Sequence, residues 1–448
     1  MNETSLRAQL EIAVSAEPPL GLLVGNSLRA GRKHRRRRRT AGAASLSAAA
    51  IVLLGAVPAL TTGPGHQAGR SRSAAGRHPA AASTAYVATS KGTVVPIRLA
   101  TNTPGAPIRV PEGMPGPFVT NSAASADGRT VYEVGDTSGG ATVTSIDTAT
   151  NTAARPITIK GAYGPLAFML APDGKTAYLS SPGGLFQVSL ATSTARRVTG
   201  CSWSGCQAIA LTPNGRALYV ISGDKSVIVV RTATNTVLSR IKLPANSPGS
   251  PLNIGITPNG KTAYVVDAVA GAKPGTNSVV PINLATNTPL PPIKIWAPGL
   301  ADGLVIAPGG RTAYVLSSRG VTAIDTATNQ AEATISLPEA AGNAYYMVLA
   351  PDGKTLYVLT PRGIVPIRTA SGTVLPTIEV PHLTTFTVIA ITPDSRRIYV
   401  GAAISHRASG RRWPKIVTAG VVPVNTATRT VGRFINLGGD PFSIAFGQ

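Results

Sequence analysis

The stretch Ala350-Pro351-Asp352-Gly353-Lys354-Thr355-Leu356-Tyr357-Val358-Leu359, continued by Gly363-Ile364-Val365-Pro366-Ile367-Arg368-Thr369-Ala370, decides how this chain is read. An apolar run meets Pro-Asp-Gly, and a strand-like segment carrying Tyr-Val follows. After a short polar break, a second alternating segment runs into a Thr-Ala turn. Asp-Gly between apolar runs is a strong hairpin signal, because a tight primed turn needs residues that accept positive φ.

Imperfect copies of this unit fill the chain. Tyrosines recur at Tyr86, Tyr132, Tyr178, Tyr219, Tyr264, Tyr314, Tyr357 and Tyr399. The turns after the next strand recur near Thr101-Asn102, Thr150-Asn151, Thr192-Ser193, Thr234-Asn235, Thr286-Asn287, Thr328-Asn329, Ser371-Gly372 and Thr428-Arg429. Both tallies give eight, at a period of about 45 residues, which is the regime of four-stranded propeller blades. The hairpin recurs at Asp127-Gly128, Asp173-Gly174, Asn214-Gly215, Asn259-Gly260 and Asp352-Gly353, and decays to Gly309-Gly310 and Asp394-Ser395. Tyr86 has no hairpin before it, while Asp440 to Gly447 reads as an innermost strand that stops before its own. The two halves predict ring closure, with the C-terminal strand completing the first blade and removing an open edge.

Several third strands carry proline, as in Val94-Val95-Pro96-Ile97, Val279-Val280-Pro281-Ile282 and Val421-Val422-Pro423-Val424. Proline has no amide to donate, so these positions should lack a ladder partner on that side.

Charge is uneven. The net charge is +23, and residues 1–80 hold 12 Lys/Arg against 3 Asp/Glu. Residues 3–17 suit a short amphipathic helix, with Leu6, Leu10, Ala13 and Val14 on one face and Pro18-Pro19 as its stop. The run Arg32-Lys33-His34-Arg35 through Arg39 follows, and directly behind it Ala43 to Leu60 is eighteen residues without a charge. Eighteen helical residues span roughly 27 Å, the lower limit for crossing a bilayer, and Arg-rich flanks stay cytoplasmic. The expected organisation is a cytoplasmic basic segment (1–42), a transmembrane signal anchor (43–60), a flexible Gly/Ala/Ser/Arg linker (61–83) and an extracytoplasmic repeat domain (84–448). Two alternatives stand beside the anchor. One is a cleaved export signal using Arg38-Arg39, giving a secreted product, and the other is a nucleic-acid-binding tail beside a buried helix. Nucleic acid ranks last, because the basic run immediately precedes an apolar segment of spanning length.

The segments Ala263-Tyr264-Val265 and Ala313-Tyr314-Val315, with Ala323-Ile324-Asp325-Thr326-Ala327-Thr328-Asn329, resemble the YVTN β-propeller repeat of bacterial surface-layer and exported proteins. The resemblance covers about 360 residues, though Thr-Asn never follows Tyr-Val directly here. It implies an all-β propeller. The repeat count gives eight four-stranded blades, and seven, commoner in the family, is the alternative.

Candidate ligand contacts come from what the repeat leaves unused. Phe118, Tyr163, Trp203, Trp296, Tyr345, Tyr346, Phe386 and Phe442 all lie on approaches to an innermost strand. They either plug gaps between blades or offer stacking surfaces to sugars and extended peptides. Two middle loops are enlarged, Asp267 to Ser278 and Gly401 to Gly420, and the second carries Arg411, Arg412 and Trp413. The binding surface is therefore expected on Tyr163, Trp203, Trp296, Tyr345, Arg411, Arg412 and Trp413. Cys201 and Cys206 enclose four residues and read as a disulfide in an exported domain, with free thiols or a metal site as alternatives. The other ligands a metal would need are scarce, since His382 and His406 are the only histidines after residue 80.

No nucleophile elbow, phosphate loop, metal-ligand spacing or cofactor motif appears, so no catalytic residue, cofactor or metal is assigned. The expected function is a membrane-anchored binding or scaffold module for cell-wall polymer or an exported protein. The alternatives are a propeller-type lactonase or hydrolase, and a one-pass sensor with a cytoplasmic partner.

Overall fold

The computed structural model describes residues 82–448 apart from 111–120, 200, 202–204, 248, 270–272, 381–384 and 407–414. The expected anchor at 43–60 and the basic segment before it lie outside the described residues. From Thr84 onward the chain forms eight antiparallel sheets, here blades 1 to 8, each running from an inner strand through a second and third to an outer strand. Each inner strand packs on the next blade's inner strand, and the series returns to its start. Apolar side chains collect in eight separate layers, one per seam between neighbouring blades.

The ring closes as the unmatched termini required. Pro441–Gly447 is the inner strand of blade 1 and pairs with Thr84–Thr89, setting Val87 opposite Ile444. The final residue ties onward into blade 2. Gln448 donates its amide to Gly128 O (2.8 Å) and its side-chain Nε2 to Asp127 O (2.6 Å).

The proline expectation is met with a specific consequence. Pro96, Pro281, Pro366 and Pro423 each sit opposite the repeat tyrosine of their own blade. On the outer side each leaves only a carbonyl, which accepts from Gly105, Leu290, Leu375 or Gly432 at 2.7–2.8 Å. The outer strand breaks there. Opposite the blade 5 third strand (Asn277–Asn283), for instance, it becomes Thr288–Pro289 and Ile293–Ile295. Blades 3, 4 and 6 lack the proline, and their outer strands run unbroken over Thr194–Thr199, Thr236–Lys242 and Gln330–Ser336. Blade 2 also lacks it, with Ser145 opposite Tyr132, yet its outer strand is split into Thr152–Ala153 and Ile157–Lys160, so the break does not require the proline.

The hairpin between inner and second strands is not the primed two-residue turn. In Ala171-Pro172-Asp173-Gly174 only Gly174 takes positive φ (64°), and its amide bonds Ala171 O at 3.0 Å. Asp173 stays in the ordinary region because its carboxylate accepts the amides of Lys175 and Thr176, both at 2.9 Å. Burial is the largest single effect and opposes ionisation, but the two amide bonds, the Thr176 hydroxyl and the Lys175 charge together hold the carboxyl below the usual range. A longer turn with a side-chain cap has replaced the tighter backbone one.

Neighbouring blades are latched through tyrosine. The Tyr219 hydroxyl of blade 4 donates to Asn287 Oδ1 in the blade 5 turn at 2.6 Å. Tyr86 reaches Asn151 (2.9 Å), Tyr264 reaches Asn329 (2.6 Å), and Tyr399 reaches Asn102 across the closure (2.7 Å). Tyr178 makes a longer contact with Asn235, at 3.5 Å. All five asparagines hold φ of 54–56°, a conformation asparagine tolerates better than other side chains. One residue thus turns the chain and accepts a hydrogen bond from the preceding blade's tyrosine. Where the turn carries Ser193, Gly372 or Arg429, the bond from Tyr132, Tyr314 or Tyr357 is not made.

Tyr219→Phe should cost about 0.5–1.5 kcal/mol, the worth of one hydrogen bond. Asn287→Gly should cost a similar amount because glycine keeps the turn, while Asn287→Ala should add about 1 kcal/mol of backbone strain. Urea denaturation of both singles and of the Tyr219→Phe, Asn287→Gly double variant checks this. Additive losses would show that the two residues are not coupled.

Candidate functional site

Four-stranded antiparallel blades put hairpins and Thr-Asn turns at one end of the ring. At the other end lie the middle loops and the connections to the next blade. At this connection end, inner strands gain one extra residue, which bends the strand and presents a side chain out of register. The extra residues are Gln207, Leu252, Asp302, Thr387 and Phe442, with Leu166 and Tyr345 at the corresponding places of blades 3 and 7. All seven are partly exposed. Three of their carbonyls are held by the preceding blade: Asn253 Nδ2 donates to Asp302 O at 3.1 Å, Asn121 Nδ2 to Leu166 O at 3.4 Å and Ser180 Oγ to Gln207 O at 2.7 Å. The channel mouth is therefore a ring of mixed chemistry, made of apolar groups, a carboxyl, an amide, a hydroxyl and a phenol.

Asp302 is the one acid in that ring among the described residues. Burial pushes its carboxyl up to about 6, offset in part by the amides of Asp302 and Gly303. Tyr346 in blade 7 lies close enough to feel it. Burial raises that phenol first, with Asp302 and then Tyr345 adding to the effect. An acid that titrates near neutrality beside two phenols can donate or accept hydrogen bonds to a polar ligand.

The sequence-selected residues are spread around this end. Tyr163 is exposed on the connection from blade 2 to blade 3, and Trp296 is 61% exposed on that from blade 5 to blade 6. Tyr345 is half-buried at the mouth. No ring contact joins the three, and the one ring pair among the described residues is Tyr399 with Phe446, 6.3 Å between centroids. Trp203, Arg411, Arg412 and Trp413 lie outside the described residues. Phe386 is buried and serves packing. Cys201 and Cys206 are joined in a disulfide with Cα atoms 5.2 Å apart, tying that connection to the start of the blade 4 inner strand.

Trp296 is held against backbone. A Cβ placed on Gly275 would stand 2.9 Å from the indole, so the ring lies on the enlarged middle loop of blade 5. Gly275 also donates its amide to Ile295 O at 3.0 Å. The base of that loop is pinned by buried Asp267, whose Oδ2 accepts from Ser247 Oγ and from the Gly249 amide (2.9 Å). The blade 8 insertion is largely not a loop. Arg397–His406 and Lys415–Asn425 stay paired out to His406 opposite Lys415, so the blade's middle strands project as a hairpin.

Asp302 was not among the residues selected from the sequence, and neither was the ring it belongs to. A signal was available, since Leu166, Gln207, Leu252, Asp302, Tyr345 and Thr387 each stand twelve residues before a repeat tyrosine. Sequence reading also missed an open cleft of roughly 460 Å³ on the outer wall between blades 2 and 3, where Lys160 and Arg197 flank Phe186. Among the described residues there is one ion pair, Arg240 with Asp224 at 2.9 Å. No group of three or more His, Cys, Asp or Glu there could hold a metal.

No protein-family model matches this chain, and no curated protein matches it. Among solved structures 1709 chains do, too many for the likeness to single out a function. One is dihydro-heme d1 dehydrogenase NirN in complex with DHE, with a TM-score of 0.62 and 14% identity over 84% of this chain and 77% of that one. At that identity the likeness shows the propeller fold alone.

Asp302 should titrate with a midpoint near pH 6, readable by NMR of a labelled carboxyl. Its folded pKa lies above its unfolded value, so the folded state holds the extra proton between roughly pH 4 and pH 6. Asp302 should therefore contribute a fall in stability as pH rises through that window, and Asp302→Asn should reduce the slope by that share. An unchanged slope would assign it to another group.

Proposed function

We propose that this chain is a YVTN-type propeller held outside the cytoplasm by its 43–60 segment, where it acts as a non-catalytic module that binds anionic cell-wall polymer. The observation that carries this reading is Trp296, a large aromatic left 61% exposed and kept in place by the backbone at Gly275. Water-facing indole is unfavourable unless something covers it at times, and a pre-positioned aromatic plane contacts a sugar ring at little entropic cost. Tyr163 offers a second such plane on the same end of the ring. The electrostatics agree in sign. Net charge is +23, and a single ion pair among the described residues leaves most cations available to a polyanion. Arg411, Arg412 and Trp413, which lie in sequence between the two long strands of blade 8, would with Trp203 and Tyr345 extend the surface.

The full-length protein, applied to an array of wall polymers, neutral glycans and peptides, should select the anionic polymers. Raising salt from 0.05 to about 0.5 M should weaken that binding, since screening acts on exposed charges. Trp296→Ala should weaken it at least about tenfold, the effect of losing a well-placed aromatic anchor. Selection of peptides alone would favour an exported protein as partner, and undiminished binding by a folded Trp296→Ala variant would reject the surface.

A further inference from the structure

At one core position the blades are alike except in a single seam. The residue after each repeat tyrosine faces the preceding blade, and it is Val87, Leu179, Val220, Val265, Val315, Val358 or Val400. In blade 2 it is Glu133, buried at 4% exposure. The change is not confined to one position. Glu133 is registered between Ser122 on the inner strand and Thr144 on the third strand, where blade 5 has Ile254, Val265 and Val280. Thr142, two residues before Thr144, shares the same face.

These oxygens are almost unpartnered. Thr142 and Thr144 are 1% and 0% exposed, and neither hydroxyl has a hydrogen-bond partner; nor does Ser122 Oγ. The Glu133 carboxylate takes one long bond, from Ser443 Oγ at 3.4 Å, reaching across from the ring-closing strand. Blade 1 completes the seam with Tyr86, Ala88 and Val94, against Val131 and Ile146 of blade 2. No Lys, Arg or His is among the buried side chains of the described residues. A buried carboxylate without a cation, beside three orphaned hydroxyls, is an arrangement that folding disfavours unless something occupies it.

We propose that the seam between blades 1 and 2 binds one sodium-sized monovalent cation, held by the Glu133 carboxylate and the hydroxyls of Ser122, Thr142, Thr144 and Ser443. The donors are all hard oxygens, which suit an alkali or alkaline-earth ion and not a thiophilic metal. Charge selects between those two. Among the described residues Glu133 is the only buried acid of this seam, so a divalent ion would leave a buried positive charge, whereas a monovalent ion is neutralised. Burial already drives the Glu133 carboxyl well above the usual range, with Ser443 pulling the other way. Binding is then an exchange in which the cation enters, the carboxyl gives up its proton to solvent, and the site stays neutral.

The test is thermal unfolding of the purified full-length protein in sodium chloride against tetramethylammonium chloride at equal ionic strength. Sodium should raise Tm by at least about 2 °C, because a ligand that binds only the folded state stabilises it. The rise should be larger at pH 8 than at pH 5, since protons compete for the same carboxylate. Glu133→Gln keeps the shape and should abolish the sodium-specific rise. Thr144→Val, which leaves the carboxyl intact, should reduce it and should narrow a sodium-23 NMR line that the native protein broadens. Equal Tm in the two salts, or a sodium rise that survives Glu133→Gln, would overturn the proposal. The readout is independent of polymer binding, so it can fail without affecting the proposed function.

Discussion

Everything in this structure depends on one strand pairing between the two ends of the propeller sequence. Pro441–Gly447 lies beside Thr84–Thr89, and without it blade 1 would expose the edge of its second strand to the channel. An open ring of eight sheets would leave unpaired amides and carbonyls at the break, which invites intermolecular pairing. The pairing is distant in sequence, so its loop-closure entropy is offset only when the blades between are already stacked. The Tyr399–Asn102 bond and the Gln448 contacts with the blade 2 hairpin reinforce the same joint from either side. Closure is a cooperative property of the ring and not of any one blade.

Within that constraint, the repeat divides its labour by face. The hairpin end is regular, where capped turns and tyrosine–asparagine latches hold neighbouring blades at a fixed angle. The connection end is irregular, and there the extra inner-strand residues, the enlarged middle strands, the disulfide and the exposed aromatics are found. A rigid scaffold at one end leaves the other free to vary without loss of the fold. The Glu133 seam differs in kind, because it places polar chemistry inside the ring, next to the closing strand.

Particular residues show how much of this could be read in one dimension. The strand prolines were legible because an absent amide has only one structural meaning in a sheet, and the outer strands break opposite them. The hairpin type was not legible. Asp-Gly suits two turn geometries, and the choice depended on the Asp carboxylate capping later amides, which is a three-dimensional contact. Tyr163 and Trp296 were recognisable as departures from the repeat, yet Phe386 departed in the same way and proved to be core. An aromatic's exposure follows from what the neighbouring blade offers it, and no local pattern records that.

By itself, then, the sequence determined the repeat, its eightfold count, the closure of its ends and the strand prolines, because each rests on short-range backbone chemistry repeated at a fixed spacing. Only the tertiary structure decided which side chains meet across blades. Asn287 meets Tyr219 and Ser443 meets Glu133 because adjacent blades set the angle between them. Asp302 stands at the channel mouth because an extra residue shifts the inner strand by one position. Such contacts join residues tens to hundreds of positions apart, and their energies arise from burial and from the neighbour supplied, neither of which exists until the ring has closed.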